Sequence, residues 1–353
     1  MPKTTLFSPI RVGDLDLPNR IFMAPLTRAR AGATRIPNEL MADYYRQRAS
    51  AGLILSEATV VSPMGVGYAN TPGIWSAEQV EGWKLTTAAV HAAGGRIFLQ
   101  LWHVGRISHP SFLDGALPQA PSAIAPAGHV SLLRPETAYV VPQALSEDEI
   151  SEVVEQFRSG ARNAQAAGFD GVELHGANGY LLDQFLQSRS NQRTDDYGGS
   201  IENRARLLLE CTDAAISVWG RDRVGIHLAP RCDVHDVGDA NPLATFGYVA
   251  QQLGQRNIAF IAAREHMGDP RIGPNLRARF GGCYVANEGF DLASGNAVLA
   301  ADEADAVAYG RLFIANPDLP ARFASGSALN PPNPATFYAD GAAGYTDYPA
   351  LPG

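Results

Sequence analysis

Short aliphatic or β-branched runs alternate along this chain with longer segments whose apolar residues recur every three to four positions. That alternation is the mark of βα units and a parallel sheet. Eight runs read as strands: Arg20–Thr27, Leu53–Val61, Arg96–His103, Gly171–Asn178, Arg223–Pro230, Ile258–Glu265, Cys283–Gly289 and Ala306–Ile314. Each is nearly all apolar rather than alternating, as expected of strands covered on both faces.

The intervals between them carry helical signals. Ser76 with Gln79, and Ser146 with Glu149, have capping-box spacing ahead of the stripes Val80-Trp83-Thr87-Val90 and Ile150-Val153-Val154-Phe157-Ala161-Ala164. A third stripe runs through Ile201, Ala205, Leu208, Thr212, Ala215 and Trp219. Helical segments also fit Asn38–Ala49, Pro242–Gln255, Pro274–Phe280, Asp291–Ala301 and Pro317–Ala324.

Eight strands, each followed by a helix, predict a single (β/α)8 TIM barrel spanning residues 1–353, a fold that needs about 250 residues. The surplus of about 100 falls into insertions and an end. The largest insertion, Val104–Leu145, is rich in Pro, Gly and Ser and follows the third strand as a lid-like element. A second site loop, Leu181–Ser200, follows the fourth. Both are βα connections, so they belong to the C-terminal face where barrel enzymes keep their sites. The tail 330–353 is expected to be ordered because it carries Phe337, Tyr338, Tyr345 and Tyr348.

Composition narrows the function classes. Hydrophobic residues make up 46% and charged residues 18%, which fits a large core rather than disorder. With 28 basic and 36 acidic side chains the net charge is −8, which argues against nucleic acid as a partner. No apolar run reaches the roughly 20 residues that span a bilayer, and the first residues lack the apolar centre of a signal peptide. Three cysteines, none in a CxxC pair, are too few for a disulfide framework. A cytoplasmic protein without membrane partners is expected.

Polar residues at the C-terminal ends of the strands are poor core fillers and mark the mouth of the barrel. They include Thr27, Gln100, His175, Asn178, Tyr180, His227, Arg264 and Arg311. Gly289 and Gly310-Arg311 follow strands seven and eight, where barrels bind phosphate through backbone N–H groups, and an Arg adds a bidentate partner. Thr27 and Gln100 supply a donor and an amide able to read a pyrimidine edge. Together these suggest flavin mononucleotide.

The strings Met23–Arg28 (MAPLTR), His175–Tyr180 (HGANGY), Leu182–Leu186, Asn191–Arg204 (NQRTDDYGGSIENR), Gly310–Leu319 (GRLFIANPDL), and the tail motifs Thr336–Tyr338 and Gly344–Pro349 stand in order over nearly the whole chain. In them the sequence resembles the Old Yellow Enzyme family of FMN-dependent ene-reductases, in its Thr-bearing branch. The resemblance implies the following roles. Pro25, Leu26, Thr27, Ala58, Gln100, His175 and His227 would contact the flavin. Gly289, Gly310 and Arg311 would hold its phosphate. His175 and Asn178 would grip the oxygen of an activated alkene (an enone, enal or nitroalkene), and Tyr180 would protonate it. Trp102 and Tyr338 would line the substrate cavity. NADPH or NADH would reduce the flavin in a first half-reaction of a ping-pong cycle. The cysteines do not cluster as in the larger iron–sulfur relatives, and no metal site is expected.

One position departs from the family. Strand five, Val224-Gly225-Ile226-His227-Leu228-Ala229-Pro230, has His227 where the resemblance leads us to expect an Arg near the flavin N1–C2 carbonyl region. A histidine fills that role fully only when protonated, and Arg231 is the alternative source of positive charge. Two further functions stand beside the leading one: reduction of nitrate esters or nitroaromatics on the same scaffold, and non-catalytic binding of a flavin or phenol. Several groups also have plain structural readings. His91 and His103 read as structural or surface histidines, Asp195-Asp196 and Glu202 as a solvated turn and a helix start, and the cysteines as packing residues.

Overall fold

The computed structural model describes residues 4–352 other than 267 and 269. Residues 1–3 of the expected domain span and Gly353 of the expected tail lie outside the described residues. The apolar runs form eight strands: β1 (Ile21–Met23), β2 (Ile54–Leu55), β3 (Ile97–Trp102), β4 (Gly171–Gly176), β5 (Val224–Leu228), β6 (Phe260–Arg264), β7 (Cys283–Asn287) and β8 (Ala306–Tyr309). All neighbours pair in parallel, and the pairing of Tyr309 on β8 with Met23 on β1 closes the ring. The helices that follow are Glu39–Arg46, Ala77–Ala92, Glu147–Ala166, Ile201–Trp219, Pro242–Arg256, Gly273–Phe280, Leu292–Ala300 and Leu319–Ser325. Ser76 with Gln79 and Ser146 with Glu149 each form both hydrogen bonds of a capping box.

Every strand ends before its apolar run does, and the shortfall is largest in the first, second and eighth. The eighth strand stops at Tyr309, and Arg311–Ala315 is a helical turn entered through Gly310. Phe313, Ile314 and Ala315 are all buried there, and a short segment apolar on every side cannot be told from a strand by period alone. The second run is interrupted after Leu55. Thr59–Val60 rejoins the sheet beside Leu101 and Trp102 of β3, while the buried carboxylate of Glu57 accepts from the backbone N–H groups of Arg28 (3.1 Å) and Ala29 (3.3 Å).

The barrel interior is filled by Phe22, Leu55, Phe98, Phe260, Ala262, Val285 and Ala306. Phe98 on β3 and Phe260 on β6 have ring centroids 5.9 Å apart although their strands are not neighbours, so this contact crosses the barrel. The hairpin Ile10–Val12/Leu15–Leu17, which the sequence pattern did not reveal, adds Val12, Leu15 and Leu17 to that cluster. A second, larger core lies between strands and helices.

The tail is anchored by arginines of the segment that follows β1. Arg28 lies beside the stacked pair Tyr44 and Tyr345, whose centroids are 4.0 Å apart, with its guanidinium carbon 5.1 and 5.0 Å from the two centroids, and donates to the carbonyls of Phe337 and Gly344. Arg30 donates to Thr336 and Phe337, and Arg48 to Phe313, Ile314 and Tyr345. In the long insertion, Gln119–Ala120 pairs with Gln143–Ala144, and Val104, Ile107 and Leu113 pack in one cluster with Trp102 and Tyr68. Arg193 of the second loop donates to the carbonyls of Pro121 and Leu145, tying the two insertions together. Among the described residues no helix is long and apolar enough to cross a membrane.

Candidate active site

The end of β4 builds one wall of the mouth. Its inward residues Glu173 and His175 are buried, and the chain then turns through Asn178 (φ 58°) and Gly179 (φ 75°). Asn accepts the left-handed region more readily than most side chains. Gly179 is required there, since a Cβ would stand 2.6 Å from the Val234 carbonyl. The turn is fixed from below: Gly179 N–H donates to Asp183 (2.8 Å), and Gln184 Nε2 donates to the Gly179 carbonyl (2.7 Å). Burial pushes the Asp183 carboxyl up to about 7. This turn carries Asn178 and Tyr180 to the same mouth as His175.

Tyr180 sits in an aromatic box. Its ring meets His175 and Trp102 edge-on, each at 4.9 Å between centroids, and Tyr68 at 6.4 Å. The hydroxyls of Tyr180 and Tyr68 are 3.0 Å apart. Burial raises the pKa of Tyr180 well above that of a free phenol, so it keeps its proton at neutral pH. Trp102 is itself buried, stacked on Tyr68 at 5.5 Å, so it meets the mouth through the edge it presents to Tyr180. Tyr338 is 51% exposed. Tyr68 was missed from sequence because it follows Gly65-Val66-Gly67 in a connection that reads as a turn.

Beneath this box lies a buried polar layer. Gln100 Nε2 donates to Glu173 (2.7 Å) and lies 3.4 Å from His227 Nδ1. The rings of His175 and His227 stack at 5.8 Å and 14°. Desolvation, with a smaller push from Arg264, takes His227 down to about 4. Desolvation also holds His175 well below the usual histidine range, followed by the neighbouring His227, His235 and Arg264. Both imidazoles are therefore neutral at pH 7. Burial pushes Glu173 up to about 8, against the lowering effect of Gln100. His175 Nδ1, His227 Nε2, Glu173 Oε1 and Trp102 Nε1 are buried without a hydrogen-bond partner. An unsatisfied buried group costs about 1–3 kcal/mol, so a gathering of them on one floor is the signature of a ligand rich in carbonyl and ring-nitrogen groups. A flavin ring fits that donor and acceptor set.

The rim fits the rest of the cofactor. Pro25, Leu26 and Thr27 are half-buried at the end of β1, and Ala58 is buried in the cluster of Trp102 and Tyr68. Leu26 lies against Gly310, where an added Cβ would come within 3.3 Å of its side chain. Gly289 (φ 83°) follows β7, and exposed Arg311 follows β8. Among the described residues Arg311 makes no ion pair. Beside Gly289, Glu288 holds φ 146°, a conformation that favours glycine and costs a side-chain-bearing residue about 1–3 kcal/mol.

Other candidates lie elsewhere. Arg231 points away from the polar layer, donating to the Gly268 carbonyl (2.6 Å) and to Glu265 (3.4 Å). The cation whose charge acts on both His175 and His227 is instead Arg264, held bidentately by Glu288 at 2.7 and 3.0 Å. His103 is buried, takes a hydrogen bond from the Gly105 N–H, and is pushed down to about 4 by desolvation. His91 pairs with Asp170. Asp195 pairs with Arg193, and Glu202 stands in the first turn of its helix. Cys211 and Cys232 are buried, and Cys283 is partly buried.

Residues 5–330 match the model of the NADH:flavin oxidoreductase / NADH oxidase family. The chain belongs to this family. It is 43% identical to 12-oxophytodienoate reductase 1 of Oryza sativa subsp. japonica, over 98% of this chain and 93% of that protein. It is 45% identical to a probable flavin mononucleotide-dependent alkene reductase of Leishmania infantum, over 98% and 97%. Among solved structures, the Old Yellow Enzyme homologue from Zymomonas mobilis superposes with a TM-score of 0.96 at 43% identity, covering 98% of this chain and all of that one. Morphinone reductase in complex with tetrahydroNAD gives 0.95 at 48%, covering 99% and 98%. The protein is thus an FMN-dependent, nicotinamide-using oxidoreductase of the Old Yellow Enzyme kind, an alkene reductase on a TIM barrel.

Proposed function

We propose that this mouth reduces the C=C bond of small alkenes activated by a carbonyl or nitro group: enones, enals and nitroalkenes. The observation that carries the reading is the convergence of neutral His175, the Asn178 amide and protonated Tyr180 above a polar floor with unpaired donors and acceptors. FMN, when bound, supplies the hydride chemistry, and a nicotinamide coenzyme supplies the electrons.

The chain's own residues do the rest. Gln100, His227 and Thr27 would hold the polar edge of the flavin ring. His175, Pro25, Leu26 and Ala58 would hold the ring itself. Gly289, Gly310 and Arg311 would hold the phosphate. His175 and Asn178 donate to the oxygen of the activating group as it gains charge, the work of an oxyanion hole, in which one donor can be worth about 3 kcal/mol. Tyr180 holds the proton that the α-carbon receives. Trp102 fixes the Tyr180 ring, and Tyr338 borders the entrance. Neutral His175 suits this job because it donates without placing a fixed charge over the flavin.

Isotopic labelling tests the reading. With NADPH deuterated on the transferred position, 2-cyclohexenone should become cyclohexanone labelled at the β-carbon. In D2O the α-carbon should acquire one solvent deuterium. Recovery of unreduced enone beside nitrite released from a nitrate ester would favour the nitro-reducing alternative.

A further inference from the structure

Asn178 is met by a residue of another strand. Arg264, at the end of β6, places Nη1 2.9 Å from the side-chain oxygen of Asn178, while its Nε and Nη2 are held by the two carboxylate oxygens of Glu288. A guanidinium is a donor at every nitrogen. The Asn178 amide can therefore face it only through Oδ1, which leaves Nδ2 and its two hydrogens turned the other way. Asn178 is half-buried, and among the described residues no group accepts from that Nδ2.

We propose that Arg264, clamped by Glu288, is a positioning residue that fixes the Asn178 amide with its donor face toward the substrate oxygen. The inference rests on the reading of the mouth given above. A free asparagine amide can turn over and present its oxygen, and an oxygen facing the substrate's carbonyl would repel it. The bidentate grip of Glu288 denies the guanidinium that freedom, since fork-to-carboxylate pairing fixes its plane as well as its place. Glu288 holds φ 146° in doing so. A glycine would take that conformation without strain, so a carboxylate kept there points to a task for its side chain. Other ionisable groups around the clamp are Arg311, whose charge acts on Glu288, and His266, 3.7 Å from it. Cys232 lies 3.7 Å from Arg264 Nη1.

The probe is cyclohexanone, a saturated ketone that binds without reacting, titrated into oxidised holoenzyme through the perturbation of the flavin absorption band. Arg264→Met should weaken cyclohexanone five- to ten-fold, about the loss of one hydrogen bond, with FMN content unchanged. Arg264→Lys, with one point charge in place of a fork, should recover part of it. Glu288→Gly is the sharper variant: it relieves the backbone yet frees the guanidinium, so binding should weaken about three-fold while the melting temperature does not fall. A purely structural role predicts the opposite, with binding kept or improved. If wild-type enzyme binds the ketone and both Arg264→Met and Glu288→Gly bind it equally well, the inference is overturned. If the wild-type enzyme itself ignores the ketone, the reading of the mouth fails first.

Discussion

The hydroxyls of Tyr180 and Tyr68 stand 3.0 Å apart, two phenols from different βα connections sharing one hydrogen bond at the barrel mouth. Burial keeps both protonated at neutral pH. Under the proposed function Tyr180 has a proton to deliver, and Tyr68 offers a hydroxyl through which the charge left behind is eased.

Tyr180→Phe should slow enone-driven reoxidation of the reduced enzyme by about 100-fold or more, the usual worth of a positioned general acid. Tyr68→Phe should slow it only about five-fold, the worth of one hydrogen bond. Reduction by NADPH should be nearly untouched in both. Anaerobic stopped-flow separates the two half-reactions; a slower NADPH step and an unaltered enone step in Tyr180→Phe would remove Tyr180 from its role.

His227→Arg should raise the two-electron midpoint potential of the bound flavin. His227 is neutral at pH 7, so β5 offers a dipole where a guanidinium would offer a charge to a reduced flavin anion. A preference of about 1.4 kcal/mol for the reduced form corresponds to about 30 mV. The partnerless Oε1 of Glu173 in the same layer gives the guanidinium a second partner. A redox titration showing no shift would mean that the charge at this position does not matter.

These two predictions show where the sequence was informative. The strand-end residues His175, Asn178, Tyr180, Gln100 and His227 were legible because polar side chains closing apolar runs have few structural uses, and the structure gathers them at one mouth. The consequence of His227 was only half legible. The substitution is visible in the chain, but Arg231 pairs with Glu265 while Arg264, which the chain shows only as one more polar strand end, reaches Asn178. Such a cross-strand contact depends on side-chain direction over three strands, which no spacing rule encodes. Tyr68 was hidden in a stretch dominated by turn residues, whereas the hairpin Ile10–Val12/Leu15–Leu17 does carry a signal, Gly13-Asp14 between two alternating runs, but each run is only three residues long. The limits of β8 were misread because a buried helical turn and a buried strand share the same composition.

Acid should unfold the protein partly through its neutral histidines. His227 and His103 have folded values of about 4 against a reference near 6.5. Between those values the unfolded chain binds protons that the folded one refuses, so the stability they give is complete above pH 6.5 and falls as pH drops toward 4. Each accounts for about 3 kcal/mol across that window. Glu173, pushed up to about 8, has the opposite slope, with stability lost as pH rises toward 8. The histidine contribution is therefore read as a difference. Urea unfolding of wild type and His227→Gln at pH 7 and pH 4.5 should show a smaller acid loss in the variant, and parallel losses would contradict the assignment.

Tyr345→Ala should cost about 3–5 kcal/mol, the price of emptying a large aromatic site, and should loosen FMN as well. The ring stacks on Tyr44 and lies 5.0 Å from the Arg28 guanidinium, next in the chain to Thr27, one of the residues proposed to hold the flavin. Denaturant unfolding and FMN dissociation should both respond; stability lost with FMN affinity unchanged would confine the tail to a structural part.

The central claim is that an activated alkene accepts the electrons that a nicotinamide delivers to this site. Its most direct test is the visible spectrum of purified holoenzyme under anaerobic conditions, followed through addition of NADPH and then 2-cyclohexenone. The account predicts a yellow protein whose flavin band bleaches with NADPH and returns when the enone is added. A band that bleaches and stays bleached in the presence of excess enone would contradict it.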